Sequence, residues 1–121
     1  MFVLTLALCL NPTFGLTLRE IAMSSISSIA QSGLNTAQTR LNASAHNVAN
    51  LSTDGFRRQE VVQTEQPGGG VSPSIRRATS VGAALESDVV EQLQAKNSFL
   101  ANLAVFKTSN QMAGVLLDQK A

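Results

Sequence analysis

The sequence predicts a mainly α fold in which long N- and C-terminal helices pair as an antiparallel, coiled-coil-like hairpin across a short β-hairpin or irregular connection. Three observations carry this. Ala30, Leu34, Ala37, Leu41, Ser44, Val48 and Leu51 recur at alternating steps of four and three residues, the spacing of a coiled-coil seam. No proline follows Pro73, and Leu85, Val89, Leu93, Leu100, Leu103, Phe106, Ala113 and Leu117 return on roughly one face. Between the two periodic stretches lies a segment rich in turn formers.

Composition narrows the function. A chain of 121 residues with net charge +1 holds one domain at most and gives no electrostatic reason to expect nucleic acid or an acidic substrate. Tryptophan and tyrosine are both absent, which removes the anchors around which small globular cores are usually built. Cys9, the single cysteine, cannot form an intramolecular disulfide and has no ligand partner at metal-site spacing.

Residues 1–22 differ in character from the rest of the chain. Phe2 to Leu10 is an apolar run closed by Asn11-Pro12, yet no basic residue precedes it and it is too short to span a bilayer. The plainer expectation is that the functional chain begins at Met23, with residues 1–22 an upstream extension and 23–121 one helical domain. The alternative keeps 1–22 as an export or anchoring segment, making the protein a small envelope- or membrane-associated coiled-coil protein.

Within 23–121 the first helix is expected over 23–51. A rod from Ser24 to Asn50 would be about 40 Å long, with Gly33, Ala37 and Ser44 letting a neighbour approach closely and Ile26, Ile29 and Ala45 widening the apolar stripe. At its end stands "NVANLSTDGFRRQ". Asn50 suits a left-handed helix terminus, Ser52, Thr53 and Asp54 can bond nearby amides, and Gly55 supplies a positive φ. Phe56 then packs back on the helix and sets the exit direction.

The connection, 52–82, contains "FRRQEVVQTEQ" and "VSPSIRRATS" joined by "PGGG", which reads as a hairpin centred on Pro67 to Gly70. That register sets Val61 against the Ile75 region and Glu60 across from Arg76 or Arg77. Pro73 confines its run to an edge, and a flexible linker is the other reading.

The second helix is expected over 83–119. Phe99, Leu103, Phe106, Asn110, Ala113 and Leu117 keep strict four-three steps, which casts Asn110 as a buried polar register residue. Glu86, Asp88 and Glu91 are read as complementing the helix dipole. The assembly seam expected from both helices is Leu34, Leu41, Val48, Val89, Leu93, Phe99, Leu103, Phe106 and Leu117.

No catalytic, cofactor or metal residues are expected. His46 is the only histidine and has no carboxylate or cysteine at triad or ligand spacing, so it reads as a solvated helix-flank residue. Arg57-Arg58 and Arg76-Arg77 could suggest nucleic acid, but they lack stacking aromatics and a basic excess.

A resemblance adds to this. "SGLNTAQTRLNASAHNVANLSTDGFRRQEVV" resembles the N-terminal signature of bacterial flagellar rod and hook proteins, with Ser32, Gly33, Leu34, Arg40, Leu41, Ala45, Asn47, Ala49, Asn50, Thr53, Gly55 and Phe56 in the motif's places. "ESDVVEQLQAKNSFLANLAVFKTSNQMAGVLL" is similar to the family's closing helix, with Asp88 to Val90, Ala95, Phe99, Ala101-Asn102, Val105, Thr108 and Met112 in step. Phe99 stands where the family commonly has tyrosine, and the short stretch between the signatures leaves no room for a large outer β-domain, as in a short proximal-rod-like member. The resemblance implies a structural subunit of the basal-body rod, needed for motility. Its terminal helices would line a hollow axial tube, and its partners would be other axial subunits, copies of itself and the flagellar type III export apparatus, with no cleaved signal and no small-molecule substrate.

Two amphipathic helices and one hairpin shelter a single seam, so the flanking apolar positions Ile26, Ile29, Leu93, Leu100 and Leu116 are expected to contact neighbouring subunits. Repetition of one contact that does not close gives a helical filament.

Overall fold

The computed structural model describes the backbone of residues 12–119 and the side chains of residues 25–119. The chain is mainly helical, with helix α1 (Pro12–Ala49), strands β1 (Gln59–Glu65) and β2 (Val71–Arg77), and helix α2 (Leu85–Asp118). The expectations for Cys9 and for the apolar run Phe2 to Leu10 lie outside the described residues.

Helix α1 runs through Met23 without a break and starts at Pro12, a residue whose fixed φ and missing N–H suit a first helical position. The helix start expected near Ser24 is therefore not formed. Serine and threonine usually compete with helical structure, but here Ser28, Ser32, Thr36, Thr39 and Ser44 each donate to a carbonyl three or four residues back. The hydroxyls are thus satisfied within the helix and stay compatible with burial.

Termination differs from the expected left-handed asparagine. Among the described residues no side-chain-bearing residue has a positive φ. Instead, the Asn50 side-chain amide donates to the His46 carbonyl at 2.8 Å while its backbone N–H reaches the same oxygen at 3.2 Å. Thr53 N–H then bonds Asn50 O, and Phe56 N–H bonds Thr53 O. Gly55, at φ 70°, makes the reversal.

The two helices run antiparallel. Contacts descend α2 as they ascend α1: Ser27 with Ser109 at 2.9 Å, Arg40 with Glu91 at 2.5 Å, Asn47 with Asp88 at 3.1 Å. The buried helical positions are small or polar: Ala30, Thr36, Ala37, Ala43, Ser44 and Asn47 on α1, and Asp88, Ala95 and Ser109 on α2. Ala30, Ala37 and Ser44 are seven residues apart, as are Asp88, Ala95 and, beyond Asn102, Ser109.

This corrects the phase of the expected interface. Gly33, Arg40 and Asn47 face α2 where Leu34, Leu41 and Val48 were expected beside the shared Ala30, Ala37 and Ser44. A close approach of two backbones excludes leucine from the gap and leaves it along the rims. Asn110 is exposed, and the buried polar position belongs to Ser109, one residue earlier. No described helix is long and apolar enough to cross a membrane.

The hairpin forms in the expected register, with Glu60 opposite Arg76 and Val61 opposite Ile75. Ala78 N–H bonds Arg58 O, and Gln66 N–H bonds Gly70 O. These bonds put the ladder at even-numbered β1 positions, so Pro73, opposite Gln63, turns its nitrogen outward and costs the ladder nothing. In each strand the first three residues are half-buried and the last four exposed. Because the strands are antiparallel, the hairpin must cross α1 on the slant and rest on it at two diagonal corners. One corner is Asn47 against Gln59; the other is Ser32, whose hydroxyl accepts from Val71 N–H at 3.2 Å. At that second corner Gly70, at φ 90°, lies so close to Ser32 that a Cβ would collide with its hydroxyl.

Candidate functional site

The turn that ends α1 and the foot of the hairpin meet both helices at one place. Asn47, on the last full turn of α1, is 2 % exposed. Its Oδ1 accepts from Gln59 N–H at 2.7 Å and its Nδ2 donates to Gln59 O at 3.0 Å. The amide therefore serves the outer edge of β1 as a neighbouring strand would, satisfying one donor and one acceptor. Its second N–H goes to Asp88 Oδ1 at 3.1 Å.

Asp88, in the first turn of α2, is 1 % exposed. Arg58 grips it with both arms of the guanidinium, Nη2 to Oδ1 at 2.5 Å and Nε to Oδ2 at 3.2 Å. A buried carboxylate is costly unless it is paired and its lone pairs are satisfied, and this geometry meets both conditions. The hydrogen bond to Asp88 raises the Arg58 pKa above its ordinary value, a shift opposed by burial and assisted by the attraction of Asp88, Glu60 and Glu91. One turn along α2, Glu91 accepts from Arg40 Nε and Gln94 lies at 3.5 Å from the same guanidinium. That hydrogen bond likewise raises Arg40, again against desolvation.

These side chains line an open cleft of about 280 Å³ that includes Arg40, Asn47, Arg58, Glu60, Asp88 and Glu91. Its charged groups hold one another. Both oxygens of Asp88 already accept hydrogen bonds, and the described residues contain no cluster of histidine, cysteine and carboxylates that could hold a metal ion.

The turn motif assembles around this network. Phe56 is half-buried and stacks obliquely on His46, ring centroids 5.7 Å apart and planes at 59°. It therefore packs back on the end of α1. Asn50 is half-buried, whereas Ala49, Thr53 and Gly55 are exposed. Of the expected seam, Leu34, Val48, Phe99, Leu103 and Phe106 are half-buried, while Leu41, Val89, Leu93 and Leu117 are exposed.

Sequence reasoning assigned Asp88 and Glu91 to the helix dipole and treated Arg58 as half of a basic pair. Asp88 does lie in the first turn of α2, and the partners add what the sequence did not show: Asp88 is held by Arg58 and Asn47, and Glu91 by Arg40. A signal was present: Asp88, Ala95, Asn102 and Ser109 form a seven-residue repeat of small or polar residues, the spacing of one helix face.

Comparison with known proteins bears on this same segment. No curated protein matches the chain. Residues 28–57, however, match the family model described as flagella basal body rod protein. The matched segment takes in the buried face of α1, the Asn47 clamp and the turn as far as Arg57. By this match the segment from the middle of α1 through the turn is similar to the flagellar basal-body rod proteins.

Proposed function

We propose that this chain is a structural subunit of the flagellar basal-body rod, and that its two helices, paired in coiled-coil fashion, build part of the wall of a hollow axial tube needed for motility. The match over residues 28–57 carries this reading. Physical support comes from the surface: Leu93 is 58 % exposed, Leu100 52 % and Leu117 69 %, so a large apolar area awaits neighbours. On this reading the rims formed by Leu41, Val89, Leu93 and Leu117, with the half-buried Leu34, Val48, Phe99, Leu103 and Phe106, are where subunits meet. The partners are other rod subunits and further copies of this chain, delivered by the flagellar export apparatus without a cleaved signal. The role is structural, in keeping with the family, and involves no catalysis.

The test is genetic. Deleting the coding segment should abolish swimming and the recovery of complete basal bodies, and supplying the chain in trans should restore both. Normal flagella in the deletion strain would refute the proposal.

A further inference from the structure

We infer that Asn47, Arg58 and Asp88 form a coincidence latch, through which the β1–β2 hairpin stays docked only while α1 and α2 are paired at this end. The three residues come from three different segments, and each is held by the other two or by what they hold. Asn47 binds the hairpin's first residue, Gln59, and also Asp88. Arg58, immediately before β1, binds Asp88 through two nitrogens. If α2 moves away, Arg58 loses its counter-charge and Asn47 loses its second acceptor together. What remains of the hairpin's polar attachment to α1 is the clamp on Gln59 and the bond from Val71 N–H to the half-buried Ser32 hydroxyl. A two-stranded sheet resting on a helix at two corners has little stability of its own.

The charged groups facing the latch from packed elements are Arg40 on α1, Glu60 on β1 and Glu91 on α2. Glu91 is taken by Arg40 and Glu60 by Arg76, so neither replaces Asp88. The hairpin thus reports whether the helices are joined, and its exposed strands present a fixed surface only after they are.

Hydrogen exchange on the full chain, at a concentration where its helical signal has reached a plateau, tests this. The ladder amides Glu60, Val62 and Ser74 follow the hairpin, and amides around Phe106 follow the far end of the helix pair. Asp88→Asn should speed exchange of the ladder amides on the order of 100-fold, while those near Phe106 change by less than about threefold. Arg76→Gln, which breaks only the hairpin's own ion pair, should leave the ladder within about threefold of the parent. Unchanged ladder exchange in Asp88→Asn, or an equal rise in hairpin and helices, would overturn the latch. A second variant approaches from the other side: Ala95→Leu forces the helices apart at a fully buried position that the hairpin does not touch, and should release the ladder amides along with α2. Retained protection in β1 and β2 while α2 loses its own would overturn it equally.

Discussion

Gly55 shows how much one residue contributes to where the chain goes. It holds φ 70° in open space, with no atom near enough to obstruct a side chain, so its requirement is one of backbone conformation alone. Gly55→Ala should therefore cost about 1–2 kcal/mol, the left-handed penalty for an ordinary residue, and Gly55→Asn distinctly less, as read by denaturant melts of the full chain. Gly33 presents the opposite case. Its φ is ordinary, but a Cβ would lie 2.5 Å from the Asn102 side-chain oxygen. Asn102 can swing away at the loss of its bond to Ser98 O, so Gly33→Ala should be near neutral once the roughly 1 kcal/mol gain in helix propensity is set against it. Gly33→Leu has no such escape and should destabilise by about 1–3 kcal/mol, the usual range for overpacking. Arg58 adds a condition-dependent statement: a cation whose pKa is raised contributes stability that is complete below its ordinary value and lost only above it. Mild alkali should leave the Asp88 contact intact. The turn at Gly55 was legible from the sequence because its cause is local. Asp88 was not, since its burial depends on Asn47 and Arg58, which lie 41 and 30 residues away, and no local periodicity reports a meeting of three segments.

At the scale of elements, the hairpin was readable down to its register because turn chemistry and opposite charges both specify it. The glycines after Pro67 fix the turn, and Glu60 and Arg76 fix the pairing at 2.9 Å. That ion pair is largely solvated, so Glu60→Gln should cost less than about 1 kcal/mol, and the difference should shrink in high salt. Proline placement is a stronger probe of the same register. Pro73→Ala should alter stability by less than about 1 kcal/mol, because only an outward-facing N–H is restored. Moving the proline one place, with Ser74→Pro, removes a ladder donor and should cost about 3 kcal/mol or destroy the hairpin, a difference measurable by exchange of the strand amides. Helix pairing was legible in period but not in phase. Counting leucines locates the apolar stripe; the true interface centres on the neighbouring residues, Gly33, Arg40 and Asn47, since small and paired polar groups let the backbones close.

Over the whole molecule that phase shift has a consequence for assembly. With the leucines expelled from the helix–helix gap, Leu41, Leu93 and Leu100 line a groove between α1 and α2, together with Phe99 and Ala37, to which the hairpin contributes no residue. Burying a leucine is worth about 1.5–3 kcal/mol, while a small chain with a single cysteine and one narrow seam among the described residues has little stability to spare. Association through this groove and its neighbours would thus complete the hydrophobic burial that the single chain leaves undone. The purified protein should gain helical circular dichroism as its concentration rises, and sedimentation should show self-association over the same range. Replacing the two groove leucines of α2, Leu93→Lys with Leu100→Lys, adds two like charges at the rim and removes two apolar contacts. Such a variant should weaken association on the order of 100-fold or more. The Asn47 network and the hairpin register stand apart from the groove, so at low concentration the variant should match the dilute parent. Association that is unaffected by the double substitution would mean that copies meet elsewhere, along Ile26, Val105 and Met112 at the other end of the helix pair, and the corresponding charge substitutions there would then carry the loss.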